Sequence, residues 1–327
     1  MATGILTAKK AKPGMGAGVC SPAAAENFAK DNTCFSKEAL LRIAHAWNTE
    51  HPDNPISGLK RKSKHSIWKD IDGKMKGICK GSGNEWCWAG KLDQVQHDNK
   101  VQSHLRPKMP TQWYKKPNTW LSNWDIQKVM RQYEDAKARF RYKFLGVLPI
   151  DFQATSEFGV CVSDEMCRLA DDIPKLLKKK IQYIGMITNL DKHDEPGSHW
   201  TSLFMCIDHT KPCFGAYYYD SVSRYPPKEI SEFVRGFKER IHQYLLSTGE
   251  VKTGEPFTFR TSYNTIRHQY GNSECGVFSM VYQIRWLELL EKNPRTKFED
   301  VIKDKLTDEE MNKYYRHILF SPSPQRV

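Results

Sequence analysis

The segment from His268 to Gly276 contains the residue types of a nucleophilic site. Cys275 stands at the predicted start of a helix, where unpaired backbone N–H groups and the positive end of the helix dipole favour a thiolate over a thiol. Gln269 lies six residues upstream, and its side-chain amide can donate a hydrogen bond to an oxyanion beside the sulfur. Because a cysteine at a helix start is more often buried and inert, chemistry here also requires a base elsewhere in the chain.

His199 and Asp220 are the candidates for that base and for the group that orients it. His199 begins a predicted strand, and Asp220 ends the next one. If a four-residue loop, Asp208–Lys211, joins the two strands, paired residue numbers sum to 419 and His199 faces Asp220 directly. A slip of one residue would place the two side chains on opposite faces. With Cys275 as nucleophile, the predicted register adds a base and a carboxylate that orients it. The alternative is that His199 has only a structural role, because this spacing of histidine and aspartate is not rare.

The elements that must position these residues indicate an α+β fold. A capping box at Ser122 starts an amphipathic helix, Ser163 opens a second helix that is interrupted at Pro174, and another capping box at Thr307 starts the final helix. Further helices are predicted over 37–48, 228–246 and 275–290. Short apolar or alternating runs predict strands over 147–150, 182–190, 199–207, 213–220 and 257–263.

The first third of the chain has a different character. Residues 1–120 contain 20 Lys+Arg and 10 Asp+Glu, which accounts for +10 of the total charge of +12. Such a module can bind nucleic acid or an acidic protein surface, or can simply be a soluble lysine-rich surface. Residues 49–118 lack periodicity and are expected to be irregular but packed. Four tryptophans recur there, and packing is the favoured use over stacking on nucleic-acid bases: Trp68, Trp86, Trp88 and Trp113.

Composition narrows the remaining classes. No apolar run approaches the roughly 18 residues of a membrane span, and no signal-peptide pattern begins the chain. We therefore expect a soluble, non-secreted protein. The nine cysteines have scattered spacings and include no Cys-x-x-Cys pair, so no disulfide framework, metal site or cofactor is expected. Six of them are interpreted as ordinary reduced thiols of a reducing compartment: Cys79, Cys87, Cys161, Cys167, Cys206 and Cys213.

The chemistry-bearing residues also form a known pattern. His199-Trp200, Asp220, Gln269 and Cys275-Gly276, in this order, resemble the SUMO-protease and adenovirus-protease superfamily. Within it, the chain resembles more closely the core-polyprotein proteases of African swine fever virus and related large DNA viruses. The segments that carry this likeness are 266–269, 274–276, 307–311 and 316–320. Segment 34–37 resembles the start of the viral arm domain, and segment 120–123 resembles the tryptophan-led helix start that lines the substrate channel.

The resemblance implies a role for each matched residue. Cys275 would be the nucleophile, His199 the general base and later acid, and Asp220 the group that orients His199. Gln269 would form the oxyanion hole with the backbone N–H of Cys275. The swine fever virus enzyme is similar but has asparagine at the orienting position, whereas this chain has Asp220, as the SUMO proteases do. The implied core is a central mixed sheet flanked by helices, with a mainly helical or irregular N-terminal arm.

Trp120, Asn123 and Trp200 are the expected substrate-binding residues. If the two tryptophans flank a narrow slot, only glycine-like residues fit before the scissile bond. The resemblance then implies cleavage of a structural polyprotein of the virion at Gly-Gly-X sites during maturation. Two alternatives remain open: a deconjugase for a SUMO-like or ubiquitin-like modifier, and a non-enzymatic, basic nucleic-acid-binding virion protein.

The expected organisation follows from the same observations. Residues 1–18 form a disordered tail, 19–116 the basic arm domain, 117–320 the catalytic domain and 321–327 a flexible tail. Nucleic acid is a possible partner of the arm. The expected location is the host cytoplasm, at the site of virus assembly, and the virion.

Overall fold

A computed structural model describes residues 20–321, so the predicted tail 1–18 and residues 322–327 lie outside the described residues. The chain divides into two compact units, one formed by residues up to 119 together with those from 312 onward, the other by 120–311. The assignment of 19–116 to an arm and of 117–320 to a catalytic domain stays a prediction, with 312–320 now found in the first unit.

The first unit is helical. Ser36 caps α2 (Lys37–Glu50) by accepting a hydrogen bond from the Ala39 N–H at 3.1 Å, as the sequence predicts. Three further helices pack around α2, namely α3 (Lys64–Met75), α5 (Asp93–Gln96) and α6 (Asn99–Gln102). The helices are α1 (Ala25–Asp31), α2 (Lys37–Glu50), α3 (Lys64–Met75), α4 (Glu85–Lys91), α5 (Asp93–Gln96) and α6 (Asn99–Gln102), with 3₁₀ turns at Leu59–Arg61 and Thr111–Tyr114. A π-helical turn (Met311–Tyr315) leads into the last helix that the structure describes, Arg316–Leu319.

The expectation of an irregular 49–118 segment is therefore wrong. Ile67, Ile71 and Met75 are buried along α3 at a spacing of four residues, a helical period that lies among lysines and glycines in the sequence. The expectation of packed tryptophans is confirmed for Trp86, Trp88 and Trp113, which are at most 9% exposed. Their burial leaves no stacking surface for nucleic-acid bases at these three rings.

The second unit contains a five-stranded mixed sheet, which confirms the α+β class. The strand order is β1-β2-β3-β4-β5, with the outer pairs parallel and the two inner pairs antiparallel. The strands are β1 (Tyr142–Leu148), β2 (Tyr183–Asn189), β3 (Trp200–Cys206), β4 (Gly215–Tyr219) and β5 (Arg260–Tyr263). The helices of this unit are α7 (Asn123–Asp135), α8 (Lys137–Phe140), α9 (Asp164–Lys178), α10 (Lys228–Ser247), α11 (Cys275–Lys292), α12 (Phe298–Ile302) and α13 (Asp308–Glu310).

Alternation along β3 places helices on both faces of the sheet. Leu203 and Met205 join the apolar cluster that contains the buried side chains of α9 and α10. Phe204 points to the opposite face and stacks on Trp286 of α11, with ring centroids 4.8 Å apart. Since one face alone would leave half of this apolar strand exposed, the two layers of helices are what allow every residue of β3 to be buried.

Several predicted boundaries shift. The first strand begins at Tyr142 rather than 147, because the helical stripe ends earlier and α8 is a separate short helix. Pro174 lies inside an unbroken α9, whose buried Leu169 and Ile173 hold the helix on the sheet despite the missing proline N–H. The capping boxes at Ser122 and Thr307 are both present.

The cysteine interpretation is wrong for four of the six residues named above. Disulfides join Cys20 to Cys34, Cys79 to Cys87 and Cys161 to Cys167, whereas Cys206, Cys213 and Cys275 are free. Each pair closes a loop of at most 14 residues. Spacing alone could not reveal these pairs, because the two residues of each pair come together only in the folded chain.

Candidate active site

Cys275 is the first residue of α11 and is buried, as the sequence predicts for a cysteine at a helix start. Two side chains of this helix bind it to the sheet. The Ser279 hydroxyl donates to the Trp200 carbonyl at 3.1 Å, and the Gln283 amide donates to the Leu203 carbonyl at 2.8 Å. The start of α11, and with it the Cys275 sulfur, is therefore fixed against β3.

His199 and Asp220 meet at the open end of the β3–β4 hairpin, where β3 begins and β4 ends. His199 Nε2 lies 2.7 Å from Asp220 Oδ1, and the aspartate is fully buried. The pairing of Ser202 with Tyr219 makes partner numbers sum to 421, so the predicted sum of 419 and the four-residue loop are wrong. Because side chains alternate along a strand, a shift of two residues keeps His199 and Asp220 on the same face of the sheet. His199 contacts Asp220 diagonally across the two strands rather than directly opposite.

The environment of His199 sets its protonation. Burial lowers the pKa of the imidazole, but hydrogen bonds to Asp220 and to Cys275 outweigh it and raise the pKa to about 9. Since Nε2 faces Asp220, the contact with Cys275 falls to the other ring nitrogen, Nδ1. The imidazole thus lies between the carboxylate of Asp220 and the thiol of Cys275.

Asn264 holds the aspartate in place. Its side-chain oxygen accepts from the Asp220 N–H at 2.8 Å, and its amide donates to the Asp220 carbonyl at 2.7 Å. The Val222 N–H donates to Asp220 Oδ1 at 2.9 Å. Asn264 is completely buried, so this two-point clamp has no competing water. The sequence offered no signal for it, because Asn264 follows a strand like any loop residue.

Gln269 is anchored from the β4 side of the site. Its backbone N–H and that of His268 both donate to the Ser221 carbonyl, at 2.9 and 2.8 Å. Its side-chain oxygen accepts from the Ser221 hydroxyl at 2.6 Å, and its side-chain nitrogen donates to the Gly271 carbonyl at 3.1 Å. Gln269 is buried beside the loop that leads to Cys275.

Asp308 holds the same loop from the C-terminal side. One of its carboxylate oxygens accepts from the Tyr270 N–H at 2.9 Å and from the Gly271 N–H at 2.8 Å. Asp308 is the first residue of α13, directly after the predicted cap Thr307. Sequence reasoning identified this helix start but not its use as an anchor for the 269–271 loop.

The three predicted substrate-binding residues line one cleft of about 410 Å³. Trp120 is 41% exposed at its mouth, whereas Trp200 is buried and donates from its indole N–H to the Leu121 carbonyl at 3.2 Å. A Cβ added to Gly276 would lie 3.1 Å from Leu121 and 3.2 Å from Trp200. The wall made by these two residues is therefore packed directly against the helix turn that carries Cys275, and Asn123 lies farther along the same cleft.

The facing wall of the cleft is the loop 191–198, which sequence reasoning did not assign. Asn189 accepts from the N–H groups of Asp191 and Ser198 at 3.0 and 3.1 Å. His193 on this loop is hydrogen-bonded to Asp151 at 2.7 Å, and this bond raises the pKa of the exposed imidazole. The loop therefore has a fixed shape and carries charge into the cleft.

Between residues 20 and 321 no group of three or more His, Cys, Asp or Glu side chains is arranged to hold a metal ion. Within the same range no helix is long and apolar enough to cross a membrane.

Comparison with known proteins shows which proteases the chain is similar to. Residues 164–320 match the family described as Ulp1 protease family, C-terminal catalytic domain. The chain is 27% identical over 325 residues to a protein of Acanthamoeba polyphaga mimivirus assigned as a thiol protease, covering 94% of this chain and 95% of that protein. It is 28% identical over 145 residues to the cysteine protease of African swine fever virus, covering 44% of this chain and 46% of that protein.

A solved structure agrees with the fold across both units. The crystal structure of the African swine fever virus protease superposes with a TM-score of 0.55 at 18% identity, covering 96% of this chain and 98% of that one. The fold, the buried cysteine beside an Asp-bound histidine and these likenesses define a cysteine protease. More closely, residues 164–320 are similar to the catalytic domain of the Ulp1 protease family, and the two viral relatives are named as a thiol protease and a cysteine protease.

Proposed function

We propose that this protease cuts peptide bonds through Cys275, His199, Asp220 and Gln269. The observation that carries the assignment is the position of His199, which bonds the buried Asp220 at 2.7 Å and lies near enough to Cys275 for the thiol to raise the pKa of the imidazole. A histidine in this place can take the thiol proton and return it to a leaving group.

The reaction then runs in two steps. The Cys275 sulfur forms a bond to the carbonyl carbon, and the carbonyl electron pair moves to oxygen, which is stabilised by the Cys275 N–H and the Gln269 amide. The C–N bond breaks as His199 gives its proton to the departing amine. Water attacks the thioester with His199 as base, and this releases the acid and regenerates the thiol.

The cleft favours a substrate with small residues before the scissile bond. Leu121 and Trp200 line the cleft and would crowd a Cβ on Gly276, the residue after Cys275, at 3.1 and 3.2 Å. We infer cleavage after Gly-Gly-like pairs of a viral structural polyprotein. The viral thiol protease matched over nearly the whole chain supports this choice.

Candidate Gly-Gly-X peptides, with cut sites mapped by mass, test the proposal directly. Wild-type protein should cut after the second glycine, and Cys275→Ala should cut nothing while keeping its fold by circular dichroism. Cys206→Ala is the matched control, since Cys206 is also a buried free thiol of the second unit. Undiminished turnover by Cys275→Ala would end the assignment.

Deconjugation of a ubiquitin-like modifier is the second candidate, and the Ulp1 family description supports it. A SUMO-like modifier with a C-terminal Gly-Gly electrophile should label Cys275 efficiently only if the modifier body is recognised. Labelling no faster than that of a short Gly-Gly electrophile would favour the polyprotein.

We further propose that the basic segment 1–120 binds nucleic acid, because its surplus of ten positive charges exceeds that of the remainder fivefold. The affinity should fall steeply with salt. A protein without residues 1–116 that kept the same affinity would contradict this. For location we propose the host cytoplasm during assembly and the virion afterwards. The three disulfides favour the virion as the place of the folded enzyme.

A further inference from the structure

Ser221 connects the two halves of the site. It follows Asp220 in the chain, is 1% exposed, and contacts Gln269 through both its backbone and its hydroxyl. Ser221 therefore links the two groups: it is covalently joined to Asp220, which orients His199, and it is hydrogen-bonded to Gln269, whose amide is assigned to the oxyanion hole.

The hydrogen-bond pattern fixes which way the Gln269 amide points. The Gly271 carbonyl can only accept, so the group facing it at 3.1 Å must be the amide nitrogen. Ser221 therefore donates its hydroxyl proton to the amide oxygen at 2.6 Å. With the oxygen held by Ser221 and one N–H by Gly271, a single N–H remains free.

We propose that Ser221 is a positioning residue that aims this free N–H of Gln269 at the oxyanion formed on Cys275. The inference rests on the catalytic assignment made above. Without the serine hydroxyl the buried amide oxygen loses its donor, and the amide can rotate about its terminal torsion. The thiolate and its imidazole are untouched by that rotation, because Asp220 is clamped separately by Asn264.

Two reactions of Cys275 separate these effects. Alkylation by iodoacetamide needs the thiolate but develops no oxyanion, whereas acylation by 4-nitrophenyl acetate passes through a tetrahedral oxyanion. In acylation the sulfur bonds the acetyl carbon and 4-nitrophenolate leaves with the electron pair, so neither a peptide nor a proton donor is needed. The test therefore does not depend on the identity of the natural substrate.

Ser221→Ala should slow acylation about tenfold, part of the roughly 10²–10³ that one oxyanion donor contributes, and should leave alkylation within about twofold. Gln269→Ala should slow acylation more, and the double variant should equal Gln269→Ala. Ser202→Ala is the matched control, since Ser202 is an equally buried serine bonded to the Gln283 amide at 2.7 Å. It should leave both rates unchanged.

Three results would overturn the proposal: acylation of Ser221→Ala at the wild-type rate, equal losses in acylation and alkylation, or a double variant whose loss is the product of the single losses. Failure of the catalytic assignment looks different, because Cys275→Ala would then retain peptide cleavage whatever Ser221→Ala does.

Discussion

The two compact units of the chain are stabilised in different ways. In the catalytic unit a completely buried strand, β3, pairs on both sides and is covered by helices on both faces. In the first unit short helices pack around α2, two disulfides close short loops, and the buried Glu85 carboxylate bonds to Cys34, 51 residues upstream. We therefore expect single substitutions in the catalytic unit to change chemistry first, and in the helical unit to change stability first.

His199→Ala and Asp220→Ala should give the largest contrast within the catalytic unit. In a triad, loss of the base costs on the order of 10⁶ in kcat and loss of the orienting carboxylate about 10⁴. Asp220→Ala should therefore be the milder change, because Nδ1 of His199 still faces Cys275. Steady-state kinetics on the cleaved peptide measure both. Equal losses would mean that Asp220 does more than orient the ring.

The pH dependence of kcat should also depend on the His199–Asp220 pair. The imidazolium of His199, with a pKa raised to about 9, prevails at neutral pH and is lost as the pH rises through that value. Since the imidazolium protonates the leaving amine, kcat should fall on the alkaline side. In Asp220→Ala this limb should shift to lower pH, because the hydrogen bond that raises the pKa most is gone. If the alkaline fall of kcat stayed at the same pH in Asp220→Ala, a group other than His199 would cause it.

In the catalytic unit, features set by local sequence signals could be predicted, whereas the strand register could not. The capping boxes at Ser122 and Thr307 and the helix start at Cys275 are local signals, and each was predicted at its observed place. The register of the hairpin was wrong by two residues, because the loop connecting β3 and β4 has eight residues, 207–214, and no local feature fixes its length.

The contacts that position the site and those that hold the helical unit together could not be predicted from the sequence, for a different reason. Ser221 and Asn264 act through partners more than 40 residues away. Glu85 meets Thr33 and Cys34 about 50 residues upstream, and no pattern at residue 85 announces a buried carboxylate. Such contacts exist only once the chain has folded, so a periodicity or a motif cannot reveal them.

Loss of the Cys20–Cys34 disulfide should lower the stability of the protein and leave the reactivity of Cys275 unchanged. Denatured, unreduced protein should show three reactive thiols, and reduced protein nine. The Cys20–Cys34 link closes a loop of 14 residues, so its loss should cost about 3 kcal/mol of the free energy of unfolding. Iodoacetamide should still react with Cys275 at an unchanged rate in folded Cys20→Ala/Cys34→Ala protein. Nine reactive thiols before reduction would show that the pairs do not form.

Glu85→Ala should give the smallest effect, and one confined to stability. The buried carboxylate accepts from the Thr33 hydroxyl, from the Cys34 N–H at 2.9 Å and from the Trp68 indole N–H at 2.7 Å. Removing it leaves three donors without a partner, which should lower the free energy of unfolding by roughly 2–3 kcal/mol.

Glu38→Ala is the matched control for that change, since Glu38 is 69% exposed on α2 and makes only surface ion pairs with Arg42 and Lys100. It should change stability by no more than about 0.5 kcal/mol. Thermal unfolding measures both variants, and peptide cleavage below the transition should match wild type in each. A Glu85→Ala protein that stayed as stable as Glu38→Ala but lost activity would reverse the contrast between the units, because the helical unit would then contribute to the chemistry.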